Sequence, residues 1–379
     1  MNDLDLVRGV YDDPPPPSTA TAADARRRML SQDGSLPARR RRAWRLPLGL
    51  VAAATATAVA AGLALSPGGD SVRPRPGVTV GTDASSPRGM MLAAATQAEL
   101  QQEGRYWYTH QRIAFAALAL GRTGGYVVEE RTEVFAWTGR DRGDGTSFYG
   151  RDFPGKPQTK ADADAWRAAG SPSSWQIRSS GLTRTLASKP GPWQEDHPDA
   201  RGGGAFDIGG LGRFTYQELQ DLPTGPEDLR KLLCEGSIKL ADGRTGAPKH
   251  CEEPRRVLDQ VFSLLADTPV PSKVRAGLMR LITDYPGVQR LGAVKDPLGR
   301  AAVALAAPFE SADGRGTIQR QVLFDQRTGK LLGGRDIQLE PGPDSETWQA
   351  PGRMLDYWAV VDSGWTDAQP VLPGQPGEG

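Results

Sequence analysis

The chain has 379 residues, 38% of them hydrophobic, and its 46 lysines and arginines against 45 aspartates and glutamates give a formal net charge of +1. This length is enough for one large domain or two small ones with a buried core. Residues 1–45 carry nine arginines against six aspartates, so the remainder is close to neutral. That balance gives no reason to expect a protein that binds nucleic acid.

Residues 46–65 form an uncharged, alanine-rich run. About 20 residues of helix at roughly 1.5 Å each span the thickness of a bilayer core. Five arginines lie between residues 39 and 45, whereas only Arg73 and Arg75 follow the run closely. This asymmetry predicts a single transmembrane helix, with residues 1–45 in the cytoplasm and the rest outside the cell membrane. The alternative is a cleavable signal, but a signal has a far shorter segment before its apolar run.

The predicted cytoplasmic tail, residues 1–45, contains one apolar cluster ahead of the proline run at residues 14–17. Its members are Leu4, Leu6, Val7 and Val10. Because so few apolar side chains cannot bury a core, we expect the tail to be mostly disordered alone and to order on a partner. The alternative is an inert, arginine-rich segment that only sets the topology. The tail has no histidine and no cysteine, which excludes a zinc-binding module there.

Three boundaries follow the composition of the remaining chain. Residues 66–89 are rich in proline, glycine and serine and are predicted to form a linker. The folded extracytoplasmic domain is predicted to span residues 90–370. Residues 371–379 are predicted to be a disordered C-terminus.

The first half of this domain is predicted to begin with a helix over residues 90–103, which Gly104 ends. Strands are expected at residues 105–113 and 125–137, where β-branched and aromatic residues are dense. Residues 151–212 are polar and rich in proline and glycine. We therefore expect them to form long excursions off the sheet.

Helices return in the second half, in segments that start at Pro226, Pro254 and Pro271, where proline is tolerated in a first turn. The last two segments, 254–267 and 271–286, have clear apolar faces. These faces comprise Val257, Leu258, Val261, Phe262, Leu264 and Leu265 in the first, and Val274, Leu278, Leu281, Ile282 and Tyr285 in the second.

Hairpins with turns at residues 296–299 and 328–329 follow, and the segment 354–365 is predicted to be a final strand. In the second hairpin, one face of the strand is predicted to hold Ile318, Arg320, Val322 and Phe324. Strands, then helices, then strands predict an α+β fold, with an antiparallel sheet and helices packed on one face.

No sequence pattern points to catalysis. The chain has no nucleophile elbow, phosphate-binding loop, zinc-protease motif or calcium loop. His110, His197 and His250 do not show metal-ligand spacing, so we expect structural or surface roles for them. We therefore predict that the protein is not an enzyme and uses no metal and no cofactor.

The aromatic residues of the predicted strands allow two interpretations. They either line an apolar cavity for a lipid-like ligand or form an ordinary core beneath the amphipathic helices. The second is favoured because sheet faces normally carry such residues. The residues are Tyr106, Trp107, Tyr108, Phe135, Trp137, Trp358 and Trp365.

Cys234 and Cys251 are the only cysteines, and both fall in the part of the chain predicted to lie outside. That compartment favours disulfides, so we expect these two residues to pair. Closing the polar loop between them would stabilise the domain by roughly 3 kcal/mol in the chain-entropy model. The alternative is two free buried thiols.

The order of these segments resembles a known family. The resemblance is carried by the start MNDLDLVRGVYDD, the arginine cluster, the alanine-rich span, the strand YWYT, the segment LPTGPEDLRKLL and the run from VFSLLADTPVPSK to LFDQRTGKLLG. Together they resemble actinobacterial single-pass membrane proteins of unknown function that are often encoded beside extracytoplasmic-function sigma factors. The element order of the outer domain also resembles the half-barrel of bacterial lipoprotein carriers and of periplasmic sigma-regulatory proteins.

The resemblance implies a membrane location and a regulatory role, and it supplies no catalytic residues. The first hypothesis is a membrane-tethered regulator, in which the outer domain senses a signal and the tail binds a sigma factor. The alternative is a membrane-anchored carrier or binding protein for a lipophilic or cell-envelope ligand. The expected partners are thus the lipid bilayer together with a sigma factor or such a ligand.

Introducing Leu6→Asp and Val10→Asp together should abolish binding of the tail to its cytoplasmic partner, for which the first hypothesis names a sigma factor. Burial of three or four apolar side chains yields about 1.5–3 kcal/mol each before ordering costs, and two buried charges would remove that gain. Pull-downs with residues 1–30 of the wild type and of the double variant test this expectation. Equal recovery of the same partner by both would contradict it.

Overall fold

The structure is a computed structural model that describes eight stretches of the chain. They are residues 86–98, 103–120, 125–179, 182–208, 212–235, 238–239, 245–246 and 253–374. The predicted tail with Leu4, Leu6, Val7 and Val10, the predicted span 46–65 and Cys251 all lie outside these stretches. Within them, no helix combines the length and the apolarity needed to cross a membrane.

The described residues form a β-rich fold with few helices. The helices are α1 (Pro87–Ala98), α2 (Lys160–Ala168), α3 (Tyr216–Gln220), α4 (Pro226–Glu235), α5 (Pro254–Asp267) and α6 (Ser272–Thr283). The strands of the first half are β1 (Tyr106–Leu120), β2 (Val127–Gly139), β3 (Thr146–Pro157), β4 (Ser174–Ser179), β5 (Leu182–Ala187), β6 (Gln194–Asp199), β7 (Ala205–Ile208) and β8 (Gly212–Thr215). Those of the second half are β9 (Ile238–Lys239), β10 (Thr245–Gly246), β11 (Gln289–Lys295), β12 (Ala301–Glu310), β13 (Gly316–Phe324), β14 (Leu331–Pro341) and β15 (Met354–Thr366).

One large antiparallel sheet dominates the fold, with the strand order β11-β12-β13-β14-β15-β1-β2-β3-β6. Most neighbouring strands follow each other closely in the chain. The exceptions are β3 and β6, which are separated by α2, β4 and β5, and the pair at the centre of the sheet. There the last strand, β15, lies beside the first, β1, with Tyr106 opposite Thr366. The β4–β5 hairpin joins the far end of β1. The predicted antiparallel α+β character is thereby confirmed.

The prediction that residues 151–212 leave the sheet is wrong for three segments. β3 continues to Pro157, β6 pairs with β3 at the sheet edge, and β4 with β5 forms the added hairpin. Pro154 and Gly155 are tolerated within β3 because the pairing with β2 shifts between Glu129 and Arg131. Proline in a sheet is confined to such irregular or edge positions.

Local cap and turn chemistry sets the ends of several elements. Ser86 Oγ accepts a hydrogen bond from the Gly89 amide at 3.0 Å, and Pro87 follows it, so α1 begins three residues before the predicted Met90. The predicted turns at 296–299 and 328–329 are confirmed by hydrogen bonds to the side chains of Asp296 and Asp325.

The face of the sheet that packs against α1 and α5 is called here the helix-covered face. Helix α6 packs on α1 and α5, and α4 packs on α6. The apolar faces predicted for α5 and α6 are confirmed, since their aliphatic members are buried and Phe262 and Tyr285 are partly buried. They pack against residues of β12 and β13 such as Val303, Leu305 and Val322. Each buried aliphatic side chain of this kind contributes about 1.5–3 kcal/mol.

The opposite face of the sheet is called here the second face. On it, side chains from β1 and β3 contact one carboxylate on β2. Glu133 on β2 is only 1% exposed. Its carboxylate lies 3.0 Å from His110 Nε2 and accepts a hydrogen bond from Arg112 Nε at 2.9 Å, both on β1. Arg151 on β3 donates to it through Nε at 2.7 Å and through Nη2. Burial alone would raise the pKa of Glu133, but these hydrogen bonds outweigh burial and lower the pKa to about 2.

Glu133→Gln should therefore destabilise the full-length protein by about 3 kcal/mol at neutral pH, because each pKa unit corresponds to roughly 1.4 kcal/mol. The pKa is lower in the folded state than in the unfolded chain. The stabilisation by Glu133 is thus complete above about pH 4.5 and disappears as the pH falls through about 2.

The measurement is the free energy of unfolding of wild type and variant by denaturant titration at a series of pH values. The difference between the two proteins should shrink as the pH falls below about 4.5. A difference that is the same at neutral pH and at about pH 3 would show that ionised Glu133 is not the stabilising species.

Candidate functional site

A row of side chains crosses four adjacent strands on the helix-covered face. Arg320 on β13 lies opposite Asp336 on β14, Asp336 lies opposite Asp356 on β15, and Asp356 lies opposite Phe115 on β1. Directly opposite residues on one sheet face have Cβ atoms about 4.5–5.5 Å apart. The register therefore places two carboxylates side by side, with a cation on one flank and an aromatic ring on the other.

Arg320 is the cation that holds the carboxylates together. It donates to Asp336 through two nitrogens, with Nη2 at 2.9 Å from Oδ2, and it bonds Asp259 on α5 through Nη1. Burial alone would lower the pKa of Arg320, but the charges of Asp259 and Asp336 outweigh it and raise the pKa. The charged guanidinium group of Arg320 thus links α5 to the sheet.

Asp356 lacks such a partner. Its Oδ1 is buried and accepts no hydrogen bond from any described group. Burial, and then the negative charge of Asp336, raise the pKa of Asp356 well above its usual value. An unsatisfied buried polar atom costs about 1–3 kcal/mol. Asp356 is therefore the carboxylate of this row that has a buried oxygen without a hydrogen bond.

An aromatic surface adjoins Asp356. Trp358, two residues along β15, makes edge-on contact with Phe115 at 6.3 Å between ring centroids and lies 6.4 Å from Phe262 of α5. Phe262 can lie against the sheet because Gly334 has no side chain, and an added Cβ would be 3.3 Å from Phe262 Cε2. Phe115, Phe148 and Phe262 are only partly buried around this cluster. Asp356 with this aromatic surface is called here the Asp356 site.

The strand aromatics singled out in the sequence do not line one cavity. Trp107 and Trp365 belong to the core under the helices, and Trp358 belongs to the Asp356 site. A separate cluster, containing Tyr106, Tyr108, Phe135 and Trp137, is joined by Tyr149, Trp193 and Leu372. The alternation of β1 explains the split, because neighbouring residues on a strand point to opposite faces.

The other sequence-predicted site residues lie away from the Asp356 site or outside the described residues. Cys234 is at the end of α4 and is disulfide-bonded. Cys251 lies outside the described residues, so its pairing with Cys234 stays a prediction. His110 contacts Glu133 on the second face and has a structural role there.

Two residues of the site had a visible signal in the sequence. Arg320 stands between Ile318 and Val322 on a face that is otherwise apolar, and Asp356 stands in register with Trp358 and Val360 on the buried face of β15. A charged residue at an inward position of an alternating strand is the signal. It does not reveal the partner strands, because register between distant strands is a tertiary property.

The carboxylates do not form a metal centre. Among the described residues, no group of three or more histidine, cysteine, aspartate or glutamate side chains is arranged to hold a metal ion. Asp259 and Asp336 already bond Arg320. Asp356 Oδ1, by contrast, is buried and has no hydrogen-bond donor among the described residues.

Comparison with known proteins adds little to this geometry. No protein-family model matches the chain, and no curated protein matches it. Among solved structures, the chain is similar to a putative outer membrane lipoprotein-sorting protein domain from Vibrio parahaemolyticus, with 9% sequence identity and a TM-score of 0.14 over 72% of this chain and 90% of that chain. So low a TM-score supports no inference. The resemblance to the actinobacterial family stays a prediction.

Asp356→Asn should raise the free energy of unfolding of the full-length protein at neutral pH, because burial and the negative charge of Asp336 disfavour the ionised carboxylate. Because the folded pKa is raised, the wild type loses stability as the pH rises from 3.8 through the folded pKa. Asparagine does not ionise and escapes that loss.

Asp336→Asn is the matched control on the neighbouring strand. It removes a hydrogen-bonded partner of Arg320 and should destabilise the protein by roughly 3 kcal/mol. Thermal and denaturant unfolding at several pH values measure both effects. If Asp356→Asn destabilises as much as Asp336→Asn, then Asp356 is a structural residue with a satisfied carboxylate.

Proposed function

We propose that the described domain is a binding domain, not an enzyme, and that it takes an amphipathic ligand of the cell envelope at the Asp356 site. The observation that supports this most is the buried Oδ1 of Asp356, which has no partner in the described structure although it adjoins partly buried aromatic rings. Ligand pockets typically combine apolar walls with a few polar groups that fix orientation. The Asp356 site has this composition.

Charge specifies the polar end of the ligand. Three carboxylates, of Asp259, Asp336 and Asp356, lie together. Arg320 bonds two of them, and Arg255 Nε lies 3.2 Å from Asp259 Oδ2. The charges of Arg256 and Arg315 also act on this cluster. Asp356 is the carboxylate of this cluster for which the described residues supply no hydrogen-bonded cation. A cationic donor such as an ammonium group would neutralise it and supply the missing hydrogen bond.

The aromatic surface specifies the other end. Phe115, Phe148 and Phe262 retain accessible surface next to the buried Trp358. An alkyl or aromatic chain placed there removes apolar area from water at about 25 cal/mol per Å². The favoured ligand is thus a lipophilic molecule with a cationic or hydrogen-bond-donating head.

The membrane context of this proposal comes from the sequence. The alanine-rich segment 46–65 would hold the domain on the outer side of the membrane, where envelope ligands occur. A half-barrel curvature of the sheet would shelter the apolar part of the ligand. Regulation of a sigma factor through the tail would make the same binding event a signal, and that step rests on the family resemblance alone.

A dansyl-labelled alkylamine should bind the full-length protein in lipid nanodiscs, and a dansyl carboxylate of equal chain length should bind about tenfold more weakly or less, since a charge-assisted hydrogen bond is worth about 1.5–3 kcal/mol. Asp356→Asn should weaken binding of the amine by a similar factor while the protein stays folded. Fluorescence titration measures each affinity.

Asp362→Asn is the control, because Asp362 lies on the same strand but is exposed and bonds Tyr108 Oη at 2.7 Å. This variant should bind the amine as the wild type does. Equal affinities of the wild type and Asp356→Asn for the amine would refute the proposed ligand geometry.

A further inference from the structure

Three arginine side chains converge on one phenyl ring on the second face, away from the Asp356 site. The guanidinium carbons of Arg112 and Arg131 lie 4.4 and 4.5 Å from the ring centroid of Phe153, and that of Arg151 lies 5.9 Å away. Arg151 also lies 4.3 Å from the ring of Trp193. Arg112, Arg131, Arg151 and Phe153 are called here the arginine cluster.

The backbone places these side chains together without a ligand. Arg112, Arg131 and Arg151 come from the adjacent strands β1, β2 and β3. The register sets Glu133 opposite both Arg112 and Arg151, and it sets Arg131 opposite Phe153. Glu133 then fixes Nε of Arg112 and two nitrogens of Arg151 by hydrogen bonds. The cluster is therefore preorganised.

Its positive charge exceeds the nearby negative charge. Among the described residues, the three arginines and Lys156 form ion pairs with Glu133 and Glu129. Glu129 lies 3.4 Å from Lys156 Nζ and 3.8 Å from Arg131 Nε. Burial, only partly offset by Lys156 and Arg131, raises the pKa of Glu129 and so disfavours its charge. At least two positive charges remain without a counter-charge among these residues.

Hydrogen-bond donors also remain. Among the described residues, the terminal nitrogens of Arg112 and Nη1 of Arg151 make no hydrogen bond. Arg131 uses Nη1 on the Pro154 carbonyl at 2.9 Å, while its Nε is buried without a hydrogen-bond partner. The arginine side chains are 29%, 13% and 21% exposed for Arg112, Arg131 and Arg151. A small anion can reach them from solvent.

We propose that the arginine cluster binds a phosphate group, either as free phosphate or as a phosphodiester head group. A phosphate presents several oxygens in a tetrahedron and can meet three guanidinium groups at once, whereas a carboxylate has only two oxygens and is matched by one arginine fork. Stacking on Phe153 and pairing with Glu133 hold the guanidinium groups in place beforehand, which lowers the entropic cost of binding.

The test uses the full-length protein in a non-ionic, phosphate-free detergent, titrated calorimetrically with inorganic phosphate, glycerophosphoglycerol and citrate. Binding of phosphate or of the phosphodiester in preference to citrate is expected, and the tighter of the two identifies the source of the group. Arg131→Gln should weaken this binding about tenfold or more, the value of one charge-assisted hydrogen bond.

Two further variants keep the test independent of folding defects. Phe153→Leu keeps every charge but removes the ring under the guanidinium groups, and it should also weaken binding. Arg327→Gln removes one exposed arginine from the turn after β13 and should change the affinity by less than about twofold, because long-range charge is screened. Absence of binding by both phosphate probes, equal binding of citrate, or equal effects of Arg131→Gln and Arg327→Gln would overturn the proposal.

Discussion

The pairing of β15 with β1 is the constraint on which the rest of the structure depends. It joins Tyr106 to Thr366, residues 260 positions apart, at the centre of the large sheet. The entropic cost of closing so long a loop grows only with the logarithm of its length, so a strand pair with many contacts can offset it. The same contacts are slow to form, because non-local pairing needs most of the chain in place.

The Asp356 site exists only because of that central pairing. Helix α5 packs on β12, β13 and β14. It also contacts β7 of the first half of the chain, and its Asp267 Oδ1 accepts a hydrogen bond from Gln111 Nε2 on β1. Asp356 and Trp358 come from β15, whereas Phe115 comes from β1. If β15 were mispaired, Asp356 and the aromatic side chains of β1, β15 and α5 would no longer lie next to each other. The site therefore forms only when both halves of the sheet are correctly paired.

Glu133 and Asp356 are buried carboxylates on opposite faces of the sheet, and their surroundings shift their pKa values in opposite directions. Glu133 is surrounded by donors from both neighbouring strands, which lowers its pKa to about 2 and makes its charge stabilising. Burial, and then the charge of Asp336 directly opposite, raise the pKa of Asp356. Like charges directly opposite each other on a sheet destabilise it. We expect replacement of Asp356 to increase stability, and we therefore infer that this residue serves a role other than folding.

The sequence predicted the parts of this arrangement that depend on local pattern. The faces of α5 and α6, the two hairpin turns and the inward position of Arg320 all follow from the helix and strand periods and from turn chemistry. It did not predict that the proline- and glycine-rich segment after Arg151 would rejoin the sheet, because the bulge opposite Glu130 that accommodates Pro154 is set by the partner strand. The neighbours of Asp356 and of the arginine cluster were equally invisible, since they depend on register between strands far apart in the chain.

Side chains along β1 point alternately to the two faces of the sheet, and this places the two candidate sites on opposite faces. Arg112 points to the second face, and Ile113 and Phe115 point to the helix-covered face. A sheet has the thickness of one backbone layer, yet the side chains on its two faces are separated by that layer and cannot contact one molecule. A single amphipathic ligand therefore cannot place its head in the arginine cluster and its tail against Trp358. In our two proposals, the ligand on the helix-covered face donates a hydrogen bond to Asp356, whereas the ligand on the second face accepts hydrogen bonds from the arginine cluster. The two proposed ligands therefore carry opposite charges.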